Sequence, residues 1–115
     1  MKVYICDAFS LSMLDRQKQL TNPRRIIPLK LEDVKTILSM RDVETVAAVG
    51  HLNTAQIIAE MLDLPVEKVY DRKTIKLEDK DGCIIAQYVG PRLPEGATAL
   101  PEGATIEWWG VSQAE

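Results

Sequence analysis

The stretch from Thr45 to Leu62 constrains the fold most. Thr45-Val46-Ala47-Ala48-Val49 is a continuous apolar run of strand length, not an alternating one. Such a run is expected where a strand is buried on both faces, between a layer on each side of a sheet. Gly50 breaks it. Asn53, with Gln56 three residues on, reads as an N-cap pair that opens a helix over 54–62, closed by Asp63-Leu64-Pro65. A buried strand feeding a helix through a glycine is one step of a layered domain that mixes the two element types.

The rest of the chain supplies the partners. Lys2 to Cys6 reads as a short buried strand, because Val3, Tyr4 and Ile5 suit a β surface. Asp7 to Leu14 follows as a loop or short helical turn. Thr21-Asn22-Pro23 is turn chemistry, and Arg24 to Leu29 reads as a second strand. Leu31 to Arg41 reads as an amphipathic helix, with Leu31, Val34, Ile37 and Leu38 at helical spacing. Thr74, Ile75 and Leu77 predict a strand that turns at Asp79-Lys80-Asp81-Gly82 and pairs back as Cys83 to Val89. Ile106 to Val111 is the last strand. The expectation is a single α/β (α+β) domain over 1–115, with a mixed β-sheet of about five to six strands and two main helices.

Between the last two strands lies a duplication. Pro94-Glu95-Gly96-Ala97-Thr98 recurs as Pro101-Glu102-Gly103-Ala104-Thr105. Two copies are too few for a solenoid, and they read as successive turns of similar geometry.

Charge narrows the function. Fourteen Lys and Arg against 17 Asp and Glu give a net charge of -3. That balance argues against a protein that coats nucleic acid, while leaving room for a small anion held by a few local arginines. No stretch approaches the roughly 20 apolar residues of a membrane span, and the N-terminus does not resemble a signal peptide. Cys6 and Cys83 both lie in apolar runs and read as reduced core thiols, so a cytoplasmic protein is expected.

His51 is the single histidine. It follows a strand and Gly50 and stands before a helix start, where free N–H groups and the helix dipole can hold an anion. Gly50 would let a ligand approach the backbone. Ser10 and Ser12, just after the first strand, are hydroxyls that could be caps or ligand donors. Arg92 and Glu95 are three apart across a turn: either a surface ion pair or a phosphate-binding arginine with a nearby carboxylate. No metal-ligand spacing surrounds His51 and the cysteines form no paired motif, so no zinc site is expected.

Four blocks taken together resemble a known family: Asp7-Ala8-Phe9-Ser10-Leu11-Ser12-Met13-Leu14, Ala48-Val49-Gly50-His51-Leu52-Asn53-Thr54-Ala55, Arg72-Lys73-Thr74-Ile75-Lys76-Leu77 and Arg92-Leu93-Pro94-Glu95-Gly96. In order, and over essentially the whole chain, they look like the viral ring nucleases, an anti-CRISPR family first seen as small proteins of archaeal viruses, with relatives in phages and mobile elements. The resemblance implies a homodimer that binds cyclic tetra-adenylate, the second messenger of type III CRISPR defence. It implies cleavage without metal or cofactor into linear di-adenylates bearing 2′,3′-cyclic phosphate. The family's catalytic histidine falls on His51, and its active-site arginine and glutamate on Arg92 and Glu95. A second phosphate-side arginine falls on Arg72 and a ligand-contacting serine on Ser10. Family members usually carry Asn where this chain has Asp7, and often Asn where it has Ser12. A carboxylate repels a phosphate, so Asp7 is expected either to face away from the ligand or to weaken its binding.

The chemistry fits these residue types. RNA carries its own nucleophile, the 2′-OH, which the enzyme must hold in line with the phosphorus. Arginines suit the charge that develops on the phosphoryl oxygens. Histidine, with an ordinary pKa of about 6.5, suits protonation of the departing 5′-oxygen. Two alternatives belong to other classes. One is a dimer that sequesters a cyclic nucleotide without cutting it. The other is a small nucleic-acid or protein interaction module of a mobile element, which the acidic balance disfavours. Stable duplex binding is not expected.

Overall fold

A computed structural model describes residues 1–97 and 99–113. Strands β1 (Lys2–Cys6), β2 (Arg24–Leu29), β3 (Glu44–Ala47), β4 (Gly82–Val89) and β5 (Thr105–Gln113) form one sheet in the order β2-β5-β4-β1-β3. Three of them, β3, β1 and β4, run parallel; β5 joins antiparallel to β4, and β2 joins antiparallel to β5. The helices are α1 (Arg16–Thr21), α2 (Leu31–Leu38) and α3 (Leu52–Leu62). The architecture is α+β with a mixed five-stranded sheet and two main helices, as expected.

Alternation along the strands splits the interior into two cores. On one face Val3, Ile5, Ile84, Ala86, Ile106 and Trp108 meet Val34 of α2 and Ala55, Ile58, Ala59 and Leu62 of α3. Ile58 is fully enclosed there, and its truncation to alanine would cost about 2–5 kcal/mol. On the other face Cys6, Cys83, Ile85 and Val111 are covered by loop residues Phe9, Met13, Leu14, Ile75 and Leu77 in place of helices. The two thiols lie side by side on neighbouring strands, Sγ to Sγ 3.2 Å apart, both free and buried. The contact with Cys6, together with burial, pushes the Cys83 thiol well above its ordinary range.

Several expectations need correction. Residues 74–77 form no strand. Ile75 and Leu77 are buried, and Leu77 N–H donates to the Met13 carbonyl at 2.9 Å. The segment is extended chain laid over the sheet, so its alternation reports one buried side and not a ladder. The turn after it exists, with Asp81 N–H donating to the Glu78 carbonyl at 3.1 Å and Lys80 at φ 70°. It leads into β4, which pairs with β1 and β5 instead of folding back on 74–77. The Arg24 guanidinium donates to the carbonyls of Asp81 and Glu78 and fastens that turn to β2. Helix α2 ends at Leu38, short of Arg41, with Ser39 as its C-cap. β3 is an edge strand and only partly buried, so its apolar run did not mean burial on both faces; full burial begins just past it, at Ala48 and Val49. Helix α1 was not expected: it buries no residue and so leaves no apolar period, but Asp15 caps it by accepting from Gln17 and Lys18 N–H at 3.0 and 3.1 Å.

Candidate active site

Because β3, β1 and β4 are parallel, their carboxyl ends share one edge of the sheet. Open sheets of this kind bind ligands beyond that edge. Asp7 stands one residue past β1, and Gly50 and His51 stand just past β3. A loop delivers the next residue. Val49 N–H donates to the Val69 carbonyl at 3.0 Å, and Asp71 N–H donates to the Val49 carbonyl at 3.1 Å. This clip carries Arg72 to the site, where its Nε donates to the Gly50 carbonyl at 3.2 Å.

His51 is itself the N-cap of α3. Its backbone is extended, its carbonyl accepts from Ala55 N–H at 2.9 Å, and its side chain makes no capping bond. The helix therefore begins two residues before the expected start, and Asn53 lies inside the first turn instead of capping it. Since the capping position is filled by a side chain turned elsewhere, the first-turn N–H groups of Asn53 and Thr54 have no partner among the described residues. A helix end in that condition is a ready anion site.

The His51 side chain is 77% exposed and is held at one point: its Nδ1 lies 3.0 Å from Oδ2 of Asp7, whose side chain is only 16% exposed. Asp7 thus faces the imidazole. In the sequence it stands out only as a departure from the family pattern. The pairing of β1 with β3 brings the two residues together from 44 positions apart, and no local signal announces it.

The serines beside Asp7 cap a turn. Ser10 Oγ accepts from Ser12 N–H at 3.3 Å, at the start of a 3-10 turn over Leu11–Met13, and the two hydroxyls lie 3.0 Å apart. Both residues are exposed. Glycine at 50 is not required by the protein's own packing: an added Cβ would meet only Arg72 Cγ, at an ordinary 3.9 Å.

Arg92 and Glu95 are placed differently. Cys6 of β1 is level with Ile85 of β4, and β4 continues to Val89, so the β4–β5 ribbon overshoots the end of β1 by roughly 13 Å at the usual rise per residue. Both residues lie on the loop beyond it, exposed, and make no bond to His51 or to each other among the described residues. The surface ion pair is therefore absent from this arrangement. The two repeated segments are turns of one geometry. Ala97 N–H donates to the Pro94 carbonyl at 3.1 Å, Ala104 N–H to the Pro101 carbonyl at 3.0 Å, and Gly96 and Gly103 have φ of 79° and 81°. These are type II turns, which need glycine at that position. Thr98 of the first copy lies outside the described residues.

Next to Asp7, on the face away from the helices, an open cleft of about 460 Å³ is lined by Asp7, Phe9, Ile26, Ile85, Gln87 and Trp109. The Trp109 Nε1 is buried and unpartnered. The adjacent tryptophans thus divide as alternation requires, Trp108 into the helix-side core and Trp109 into the wall of the cleft. Among the described residues, no group of three or more His, Cys, Asp or Glu is placed to hold a metal ion, and no helix is long and apolar enough to cross a membrane.

Comparison with known proteins gives the family. The STIV B116-like family model matches residues 3–106. The chain belongs to the STIV B116-like family. Its fold is similar to that of B116 of Sulfolobus turreted icosahedral virus, at 21% identity and a TM-score of 0.71, with 97% of this chain and 99% of that one covered. None of the curated proteins matches the sequence. The STIV B116-like chain therefore shares its overall fold with a viral protein.

Proposed function

We propose that this STIV B116-like protein is a metal-independent ring nuclease. In this reading it cleaves cyclic tetra-adenylate to linear di-adenylates with 2′,3′-cyclic phosphate and so antagonises type III CRISPR signalling. The observation that carries the reading is the setting of His51: an exposed imidazole at an uncapped helix amino-terminus, with the Arg72 guanidinium beside it on the Gly50 carbonyl. A phosphodiester seated there would meet N–H donors, an arginine and a proton donor at once.

In the proposed reaction the ligand's 2′-hydroxyl gives up its proton to solvent water and its oxygen attacks the scissile phosphorus. The new P–O2′ bond forms as the P–O5′ bond breaks, and His51 protonates the departing 5′-oxygen. Arg72 and the first-turn N–H groups of α3 take the phosphoryl charge. Arg92 and Glu95 join from the ribbon, which must approach the ligand to do so. Ser10 and Ser12 are ligand donors to the extent that their hydroxyls can leave the capping turn. The cleft beside Asp7, with Phe9 and Trp109, offers an aromatic wall to a base. The ring of four identical nucleotides is two-fold symmetric, so a homodimer would present the same site to each half.

The test is incubation with cyclic tetra-adenylate in EDTA, followed by identification of products. Linear di-adenylates ending in 2′,3′-cyclic phosphate are expected. A ring that is bound but recovered intact would make the protein a sequestering dimer, and a reaction that stops until Mg²⁺ or Mn²⁺ is added would exclude the mechanism.

A further inference from the structure

We propose that Asp7 is a positioning residue that fixes the tautomer and direction of the His51 imidazole, an inference that rests on His51 being the proton donor to the leaving oxygen. The two ring nitrogens of a histidine are not equivalent, and the hydrogen bond made by one decides what the other can do. An ionised carboxylate only accepts, so the 3.0 Å contact between Asp7 Oδ2 and His51 Nδ1 places a proton on Nδ1. Nε2 then faces away from Asp7, on the open side of a ring that is 77% exposed.

The donor step balances on this arrangement. The charged ring carries protons on both nitrogens. It gives the Nε2 proton to the 5′-oxygen as the P–O5′ bond breaks, and the neutral ring left behind keeps its proton on Nδ1, the form that Asp7 holds.

The surroundings make Asp7 the residue suited to this work. It directly follows Cys6, which is 1% exposed, so its backbone is anchored by the sheet and not by a loop. His51, by contrast, has no other side-chain partner among the described residues. Without Asp7 an exposed imidazole would turn freely about its side-chain torsions, and the proton would be aimed by chance. The neighbouring charge is Arg72, which is committed to the Gly50 carbonyl and does not pair with Asp7. The repulsion expected between Asp7 and a phosphate is thereby reduced, since the oxygen nearest the histidine is occupied by an N–H donor.

His51 is the only histidine, so its imidazole signals need no assignment. Long-range proton–nitrogen NMR on labelled protein, at a pH where the ring is neutral, should show the Nδ1–H form in the wild type without any ligand. Asp7→Ala should shift the ring toward the Nε2–H form, which free imidazole side chains favour in water. Asp7→Asn keeps the shape and removes the acceptor-only charge; it guards against an alanine variant that does not fold, and it should also lose the uniform Nδ1–H signature. In single-turnover cleavage both variants should be about 10–100-fold slower, the usual range for a group acting through another. Ring binding should stay within about threefold, since little ground-state binding is removed. A wild-type tautomer in Asp7→Ala, or cleavage by both variants at the wild-type rate, overturns the proposal. Should wild-type protein leave the ring uncut, the nuclease reading fails alone, because the tautomer measurement still decides what Asp7 does.

Discussion

The parallel strand ends and the β4–β5 ribbon both carry candidate site residues, and the protein holds them by opposite means. At the strand ends each functional group is tied to the core within a residue or two. Asp7 follows buried Cys6, His51 caps α3, and Arg72 is clipped to β3 through Val49. On the ribbon, Arg92 and Glu95 sit past the last paired residues, steered only by local turn chemistry. Gly90 marks the border: its φ is 146°, and a Cβ there would come within 2.8 Å of Ala104 Cα, so the two ribbon strands touch backbone to backbone at that point. The contrast teaches a division of labour. In the proposed reaction the first region, being preorganised, would aim the proton. The second projects into solvent, and in the same proposal it would act only by approaching a ligand that is already seated.

The largest expected effect tests the preorganised region. His51→Ala should reduce single-turnover cleavage by about 10²–10⁴-fold, the usual contribution of a general acid. Binding of the ring should change by less than about tenfold, because the proton is transferred only in the transition state. Undiminished turnover would place the chemistry elsewhere and remove the basis of the comparison.

The ribbon comes next. Arg92→Ala should slow cleavage at saturating ligand by about 10²-fold, the cost of losing one donor to developing charge. Arg92→Lys should recover only part of that rate, because a point charge cannot reproduce the guanidinium fork. If rate measurements show Arg92→Ala to be neutral, the ribbon plays no part in the chemistry.

A third expectation separates stability from activity. Hydrogen bonding with Cys6 and burial both favour the neutral Cys83 thiol in the folded protein. The raised pKa means that this contribution is fully present below the unfolded thiol's value, near pH 9, and is lost as pH rises beyond it. Urea melts between pH 7 and 10.5 should show stability falling by up to about 1.4 kcal/mol per pH unit on the alkaline side. Cys83→Ala should flatten that limb, and an identical alkaline loss in the variant would assign it to other groups.

The smallest effect uses the duplication as its own control. Glu95 and Glu102 occupy the same position of two turns with the same glycine φ and the same closing hydrogen bond. Glu95→Gln should lower the single-turnover rate severalfold, while Glu102→Gln should leave it unchanged. Equal effects would mean that the turn, and not the carboxylate, is what the ribbon supplies.

Much of this protein was legible without a structure because its signals are local. Apolar runs marked β1, β2, β4 and β5, spacing marked α2, and Asp63 marked the end of α3, whose start the Asn53 signal puts two residues late. The repeated Pro-Glu-Gly-Ala turns follow from glycine's access to positive φ alone. His51 stood out as a lone histidine between a strand and a helix. Local pattern misled where burial and pairing part company: Ile75 and Leu77 are buried by lying on the sheet, not by joining it. It was silent on α1, whose residues are all exposed or half-exposed.

What only the tertiary structure decided is the partner of each group. Asp7 meets His51 because β1 and β3 pair in parallel with Ile5 level with Ala47, a register set by side-chain packing between strands distant in the chain. Arg72 reaches Gly50 through the same kind of long-range clip. The overshoot of β4 past β1 likewise depends on strand register and length, and it sets Arg92 on a loop beyond the last paired residues, with no bond to His51 among the described residues. Residue types and turns are fixed by short-range sterics and hydrophobic period. The contacts that give those residues a task depend on sheet register, which no short window of sequence encodes.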